Sequence, residues 1–177
     1  MRSFLANNRD ELIARCAAMV AKRPSRDATP SQLANGIPIF LEQLTRTLRA
    51  EETGNVPEGA RISGLAGGDS TALSQIGVSA TAHGHALHEL GYTVDQVVHD
   101  YGDLCQAITG LAVERDAPFS VDQFRTLNRC LDNAIADAVT EFSAQRDVSI
   151  SRQQLAGENE RLGVLVHELR NSLQTAT

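Results

Sequence analysis

The sequence predicts an all-α protein: a helical bundle whose last helix is long and continues into a dimeric coiled coil. Three observations lead there. Apolar residues recur at three- and four-residue spacings through most of the 177 residues. Aromatics make up only 4% with no Trp, and Ala and Leu are abundant, which favours helix over sheet. Finally, residues 120–177 contain no proline, so nothing in them must stop a helix. At 1.5 Å per residue that segment could extend about 80 Å, far beyond an ordinary globular helix.

The elements follow in order. Residues 4–22 read as a first helix, with Leu5, Leu12, Cys16 and Met19 on one face, stopped by Arg23-Pro24-Ser25. A second helix opens at Thr29-Pro30, a cap followed by proline at the first helical position. Leu33, Ile37, Phe40, Leu41, Leu44 and Leu48 form its stripe, with a bend expected near Gly36 and Pro38. Residues 52–70 are glycine-rich and lack periodicity, so a mobile loop is expected inside one domain. A third helix over roughly 71–90 carries Leu73, Ile76, Ala80, His83, Leu87 and Leu90 inward and ends at Gly91.

Thr93 and Gln96 have the spacing of a capping box for a fourth helix, whose inner face is Val94, Val97, Tyr101, Leu104, Ile108 and Leu111. Asp116-Ala117-Pro118 breaks the chain, and Ser120 with Gln123 forms a second capping box. The helix it opens points Phe124, Leu127, Leu131, Ile135, Ala138 and Phe142 inward. Beyond Phe142 the stripe narrows to Val148, Leu155, Leu162 and Leu169, one every seven residues, which is a coiled-coil seam.

The net charge of −6 and the absence of a basic cluster argue against a nucleic-acid surface. No run approaches the roughly 18 apolar residues of a membrane span, and the N-terminus lacks a signal core, so a soluble cytoplasmic protein is expected. Cys16, Cys105 and Cys130 are far apart and odd in number, as expected of free thiols in a reducing compartment.

His83, His85, His88 and His99 cluster on one helical hairpin. Their spacing does not put the first three on one face, so His85 and His88 read as solvated surface and a metal or haem site is not expected. His83 occupies an inward position. With the turn centred near Tyr92, His83 and Tyr101 stand level across the hairpin, and a buried contact between them is expected, with a hydrogen bond as its natural form.

On the seam's heptad, with the leucines at a, Leu165 falls at d and His167 at f, facing away from the partner helix. Arg170 and Asn171 lie one turn on and on the same side as His167. The run His167-Glu168-Leu169-Arg170-Asn171-x-Leu173 resembles the phosphoacceptor box of sensor histidine kinases, with Ser172 where that family usually has proline. The resemblance implies that His167 takes the γ-phosphate of ATP, that Glu168 assists as base or orienting acid, and that Asn171 serves the phosphatase reaction. A neutral imidazole beside a carboxylate suits that role.

A second resemblance lies in the hairpin. His83-Gly84, Gly91-Tyr92 and Tyr101, with Leu104 and Ile108, are similar to the N-terminal domain of RsbR-type stressosome co-antagonist proteins over about residues 4–145. It implies a globin-like, dimeric helical bundle with a sensory role. Together the two resemblances imply a sensor domain over 1–145 and, over 146–177, a signalling helix with the start of a dimerisation and phosphoacceptor domain. Nothing in the chain resembles an ATP-binding domain. The expected partners are therefore a second copy, an ATP-binding domain and a response regulator, with no cofactor here and ATP and Mg needed by the full-length kinase; this chain is expected to be inert alone. The alternative is a non-catalytic helical dimerisation or scaffold module, indifferent to replacement of His167.

Overall fold

The computed structural model describes residues 1–22, 30–68 and 72–175, and for 30–35, 168–170 and 172–175 it describes the backbone alone. The stop at 23–25, the Thr29 cap, the Leu33 side chain and the last residues of 52–70 lie outside that description. Among the described residues there are helices and no strand: α1 (Arg2–Asn7), α2 (Arg9–Ala21), α3 (Pro30–Glu52), α4 (Val56–Ser63), α5 (Gln75–Glu89), α6 (Val94–Glu114) and α7 (Val121–Thr175). The chain divides into two compact units, Met1–Phe142 and Ser143–Thr177. The protein is all-α.

In the first unit the expected stripes meet in one core. Leu5, Leu12, Cys16, Leu44, Ile76, Leu104, Ile108, Leu111 and Leu127 are almost completely buried. The starts of α5, α6 and α7 are each made by a side chain. Thr93 and Gln96 cap α6 reciprocally, Ser120 and Gln123 do the same before α7, and the Ser74 hydroxyl accepts from the Gly77 N–H at the start of α5. Gly91, at φ 74°, terminates the α5 turn in a conformation that costs other residues.

Four expectations are corrected. The first helix is two, because the Asn8 side-chain amide donates to the Phe4 carbonyl at 2.7 Å and ends α1 there. Val20 is buried in the register where Met19 was expected, and Met19 is only half-buried. The stretch 52–70 is no structureless loop, since α4 runs through it, capped by Asn55 with Pro57 in its first turn. Ile62 and Ser63 from α4 are buried, and Asn133 of α7 donates to the carbonyls of Ser63 at 2.7 Å and Leu65 at 3.0 Å.

The fourth concerns the ends of stripes. Leu73 and Leu90 are exposed because they lie outside α5, where helical periodicity no longer aims them. Phe124 is also exposed; at the edge of the core it is Phe119 that packs, edge to face on Phe4 with ring centroids 5.3 Å apart.

At Gly84, α5 lies close against α7. A Cβ added at Gly84 would lie 2.2 Å from the Ala138 carbonyl oxygen, which is backbone and cannot step aside. Seven residues earlier, a Cβ at Gly77 would meet the Asp137 carboxylate at 2.6 Å. Two glycines on one side of α5 thus let it lie directly on the α7 backbone. Gly84→Ala is expected to lower unfolding stability by about 2–3 kcal/mol, in the range of overpacked cores. Gly102→Ala, where a Cβ meets nothing within 4 Å on the exposed side of α6, is expected to raise it by about 0.5–1 kcal/mol through helix propensity. Urea denaturation of both variants checks the pair; equal effects would remove the packing argument.

Candidate functional site

Two places hold the side chains singled out by sequence. The first is inside the Met1–Phe142 unit. His83 sits on α5 one residue before Gly84, so the α5–α7 contact turns its ring away from α7 toward α3 and α6. There the imidazole lies against Gly36, where an added Cβ would come within 2.9 Å of His83 Cε1. Gly36, read from sequence as a bend, makes room for the histidine ring.

His83 and Tyr101 stand together, but as rings: their centroids are 6.1 Å apart and the planes perpendicular. The expected hydrogen bond between them is replaced by this edge-to-face contact, and Tyr101 in turn meets Phe40 edge to face at 6.4 Å. The reason is direction. Residues level across a hairpin share a height, but ring planes follow the rotamers that the core permits.

Around the pair is a half-open cavity of about 40 Å³ lined mainly by apolar side chains, among them Phe40, Ala80, Leu104 and Ala134. Burial holds the His83 imidazole below its ordinary pKa, and burial with the nearby Asp100 and Asp137 carboxylates pushes the Tyr101 phenol well above its own. Both groups are therefore neutral near pH 7.

His85 and His88, expected as solvated surface, are half-buried and make contacts, while His99 is exposed. His85 places Nδ1 3.3 Å from Glu141 on α7 and Nε2 3.6 Å from Glu89 on its own helix. His88 packs on the Phe142 ring at 5.4 Å, and His99 lies 3.3 Å from Asp95 one turn back. Sequence spacing could not show the first and third of these contacts, since α7 is more than fifty residues away. Among the described residues no group of three or more His, Cys, Asp or Glu side chains could hold a metal ion. Cys16 and Cys130 are buried free thiols, each pushed up to about 12 chiefly by burial, and Cys105 is half-buried.

The second place is in the Ser143–Thr177 unit. His167 and Asn171 are both exposed on α7, four residues apart and so one turn apart on one side. Glu168 lies on the same helix, and its side chain is outside the described residues. Val148, Leu155, Leu162 and Leu165 are also exposed in the single chain, as are Val164 and Val166. That is a large apolar content for a surface to leave in water. Among the described residues no helix is long and apolar enough to cross a membrane.

No family model, curated protein or solved structure matches this chain. The geometry therefore carries the functional reading together with the motifs.

One consequence is measurable. With its pKa lowered in the fold, His83 takes up a proton more readily in the unfolded chain, so stability is complete above about 6.5 and falls as pH drops through that value toward the lowered one. The other histidines are common to wild type and His83→Gln, so the difference isolates His83. Urea unfolding at pH 7.5 and pH 5 should show a larger acid loss for wild type; parallel losses would mean that His83 is solvated in the fold.

Proposed function

We propose that this chain is the sensor region of a cytoplasmic two-component histidine kinase, with His167 as its phosphoacceptor. The observation that carries the reading is the pairing of motif with exposure. The box His167-Glu168-Leu169-Arg170-Asn171 sits on a helix that leaves the His167 imidazole open to solvent, where a catalytic domain could reach it. A buried histidine in the same motif would have argued against it.

The roles follow from the chemistry. His167 attacks the γ-phosphorus of ATP through a ring nitrogen, forming an N–P bond as the bond to the β,γ-bridging oxygen breaks and ADP leaves, and Glu168 orients the ring or accepts its proton. Asn171, one turn on, is positioned to direct the water that removes phosphate from a response regulator. ATP and Mg belong to a catalytic domain that acts on this helix. A second copy of the chain would cover Val148, Leu155, Leu162 and Leu165, giving a homodimer through the seam. The polar Ser151 and Glu158 occupy the intervening d positions, so the upper part of the seam is weak and could be shifted by a modest change in the bundle.

The first test is labelling of the complete reading frame with [γ-32P]ATP. Acid-labile, base-stable label on the wild type and its loss in His167→Ala, with the dimer intact, are expected. Equal labelling, or none in either protein, overturns the kinase reading and leaves a helical dimerisation module. Asn171→Ala is expected to keep autophosphorylation within about twofold and to slow dephosphorylation of the cognate regulator at least about tenfold, the usual size of a positioning effect on proton or water chemistry. A time course with the phosphorylated regulator reads this directly.

A further inference from the structure

We propose that the helix of the Ser143–Thr177 unit pairs with a second copy of itself in parallel and in register, and that the facing Glu158 carboxylates make this pairing tighten in acid. The inference rests on the homodimer of the kinase reading, and it holds equally for a dimerisation module without phosphotransfer.

The occupant follows from the face. Among the described residues α7 is the only element of that unit, and Val148, Leu155, Leu162 and Leu165 are exposed on it. A lone helix in water draws little stability from propensity alone, so an apolar stripe of this kind needs a cover. The seven-residue spacing is matched by a second copy of the same helix. Charge agrees with that choice. With Val148 and the leucines at a, Asp147 falls at g and Arg152 at the following e, the two positions that meet between parallel copies. Both side chains are exposed, and Arg146, 3.8 Å from Asp147, leaves it so.

The layers decide the orientation. In parallel copies each a or d residue meets its own counterpart, so Val148, Leu155, Leu162 and Leu165 form apolar layers and Ser151 and Glu158 form two polar ones. Reversing one copy, with 148 opposite 165, sets Leu155 against Glu158 and Leu162 against Ser151 instead. That arrangement covers leucines with polar groups, at a cost in desolvation.

Glu158 is the one charged residue in the a and d layers between 148 and 172. Across the seam it meets the second copy's Glu158, flanked by Leu155, Asn159 and Leu162, none of which is positively charged. On its own helix Arg161 stands one turn on, and a pair of that spacing on an exposed helix offsets only a small part of the repulsion. One proton taken up between the two carboxylates removes the like-charge contact and lets the acid donate a hydrogen bond to its neighbour. The paired state therefore holds protons that separated helices release, and it strengthens as pH falls.

The test is sedimentation equilibrium of the full chain, wild type against Glu158→Gln, at pH 7.5 and pH 5. Glutamine keeps the shape and drops the charge, so the variant dimer should be about tenfold tighter at pH 7.5, the effect of one close like-charge pair at a partly hydrated interface. At pH 5 the gap should narrow to about threefold, because only wild type gains protons at the seam. Glu160→Gln, at the outward f position, should stay within about twofold of wild type at both pH values. Orientation is read by native mass spectrometry of 15N-labelled wild type mixed with unlabelled Glu158→Lys. Facing positions should raise the heterodimer above about 90%, since both homodimers repel and the mixed pair attracts. The statistical half overturns the parallel register. A Glu158→Gln dimer no tighter than wild type, or a gap unchanged in acid, overturns the proton response while leaving the homodimer standing. Wild type and variants that all remain monomeric overturn the homodimer with it.

Discussion

The contact of α5 with α7 at Gly84 and Ala138 governs the placement of every functional side chain in the first unit. A helix turns about 100° per residue, so once Gly84 faces the α7 backbone its neighbours have little choice. His83 is rotated to one side, into the space between α3 and α6, and His85 to the other, where Glu141 waits on α7. His88, one turn beyond Gly84, returns to α7 and rests on Phe142. The missing Cβ is thus what allows a histidine to reach the interior of a helical core at all.

Around that contact the bundle is fastened by groups that specify register more than they add stability. Arg15 of α2 grips the Glu114 carboxylate of α6 with two hydrogen bonds, at 2.7 and 2.6 Å, while Arg115 reaches back to Glu11. The Glu114 carboxyl is held below its usual pKa by Arg15. These groups are exposed, and exposed ion pairs contribute little to folding free energy. The links from α7 to α4 are of another kind, since Asn133 satisfies backbone carbonyls at the end of a short helix and Arg129 reaches both Glu51 and the buried Ser63 hydroxyl. An unsatisfied buried carbonyl is costlier than a lost surface pair, so this second set resists disruption more strongly.

His83 and His167 place one residue type in two different environments. In the first unit, burial holds the imidazole below its ordinary pKa and places it at a cavity wall. In the second, a helix surface presents the imidazole to water beside a carboxylate in sequence, which suits nucleophilic attack on a phosphate. Under the proposed kinase reading, the exposed apolar residues of that unit would be the surface on which two such helices pair.

By itself the sequence determined the all-α class, the buried stripes of α3, α5, α6 and α7, and both reciprocal caps. These are local: period and capping act within one helix, where spacing along the chain equals position in space. The α4 helix was also readable, since Asn55-Val56-Pro57-Glu58 is a cap with proline in the first turn, but the surrounding glycines obscured it. The height of His83 against Tyr101 could be counted from the turn, whereas the edge-to-face geometry could not. Only the tertiary structure decided that Gly36 and Gly84 are spaces for other residues, that His85 meets Glu141, and that a cavity remains beside His83. Each of those depends on which faces of distant helices come together, and a helix carries no information about its neighbour's shape until the two are packed.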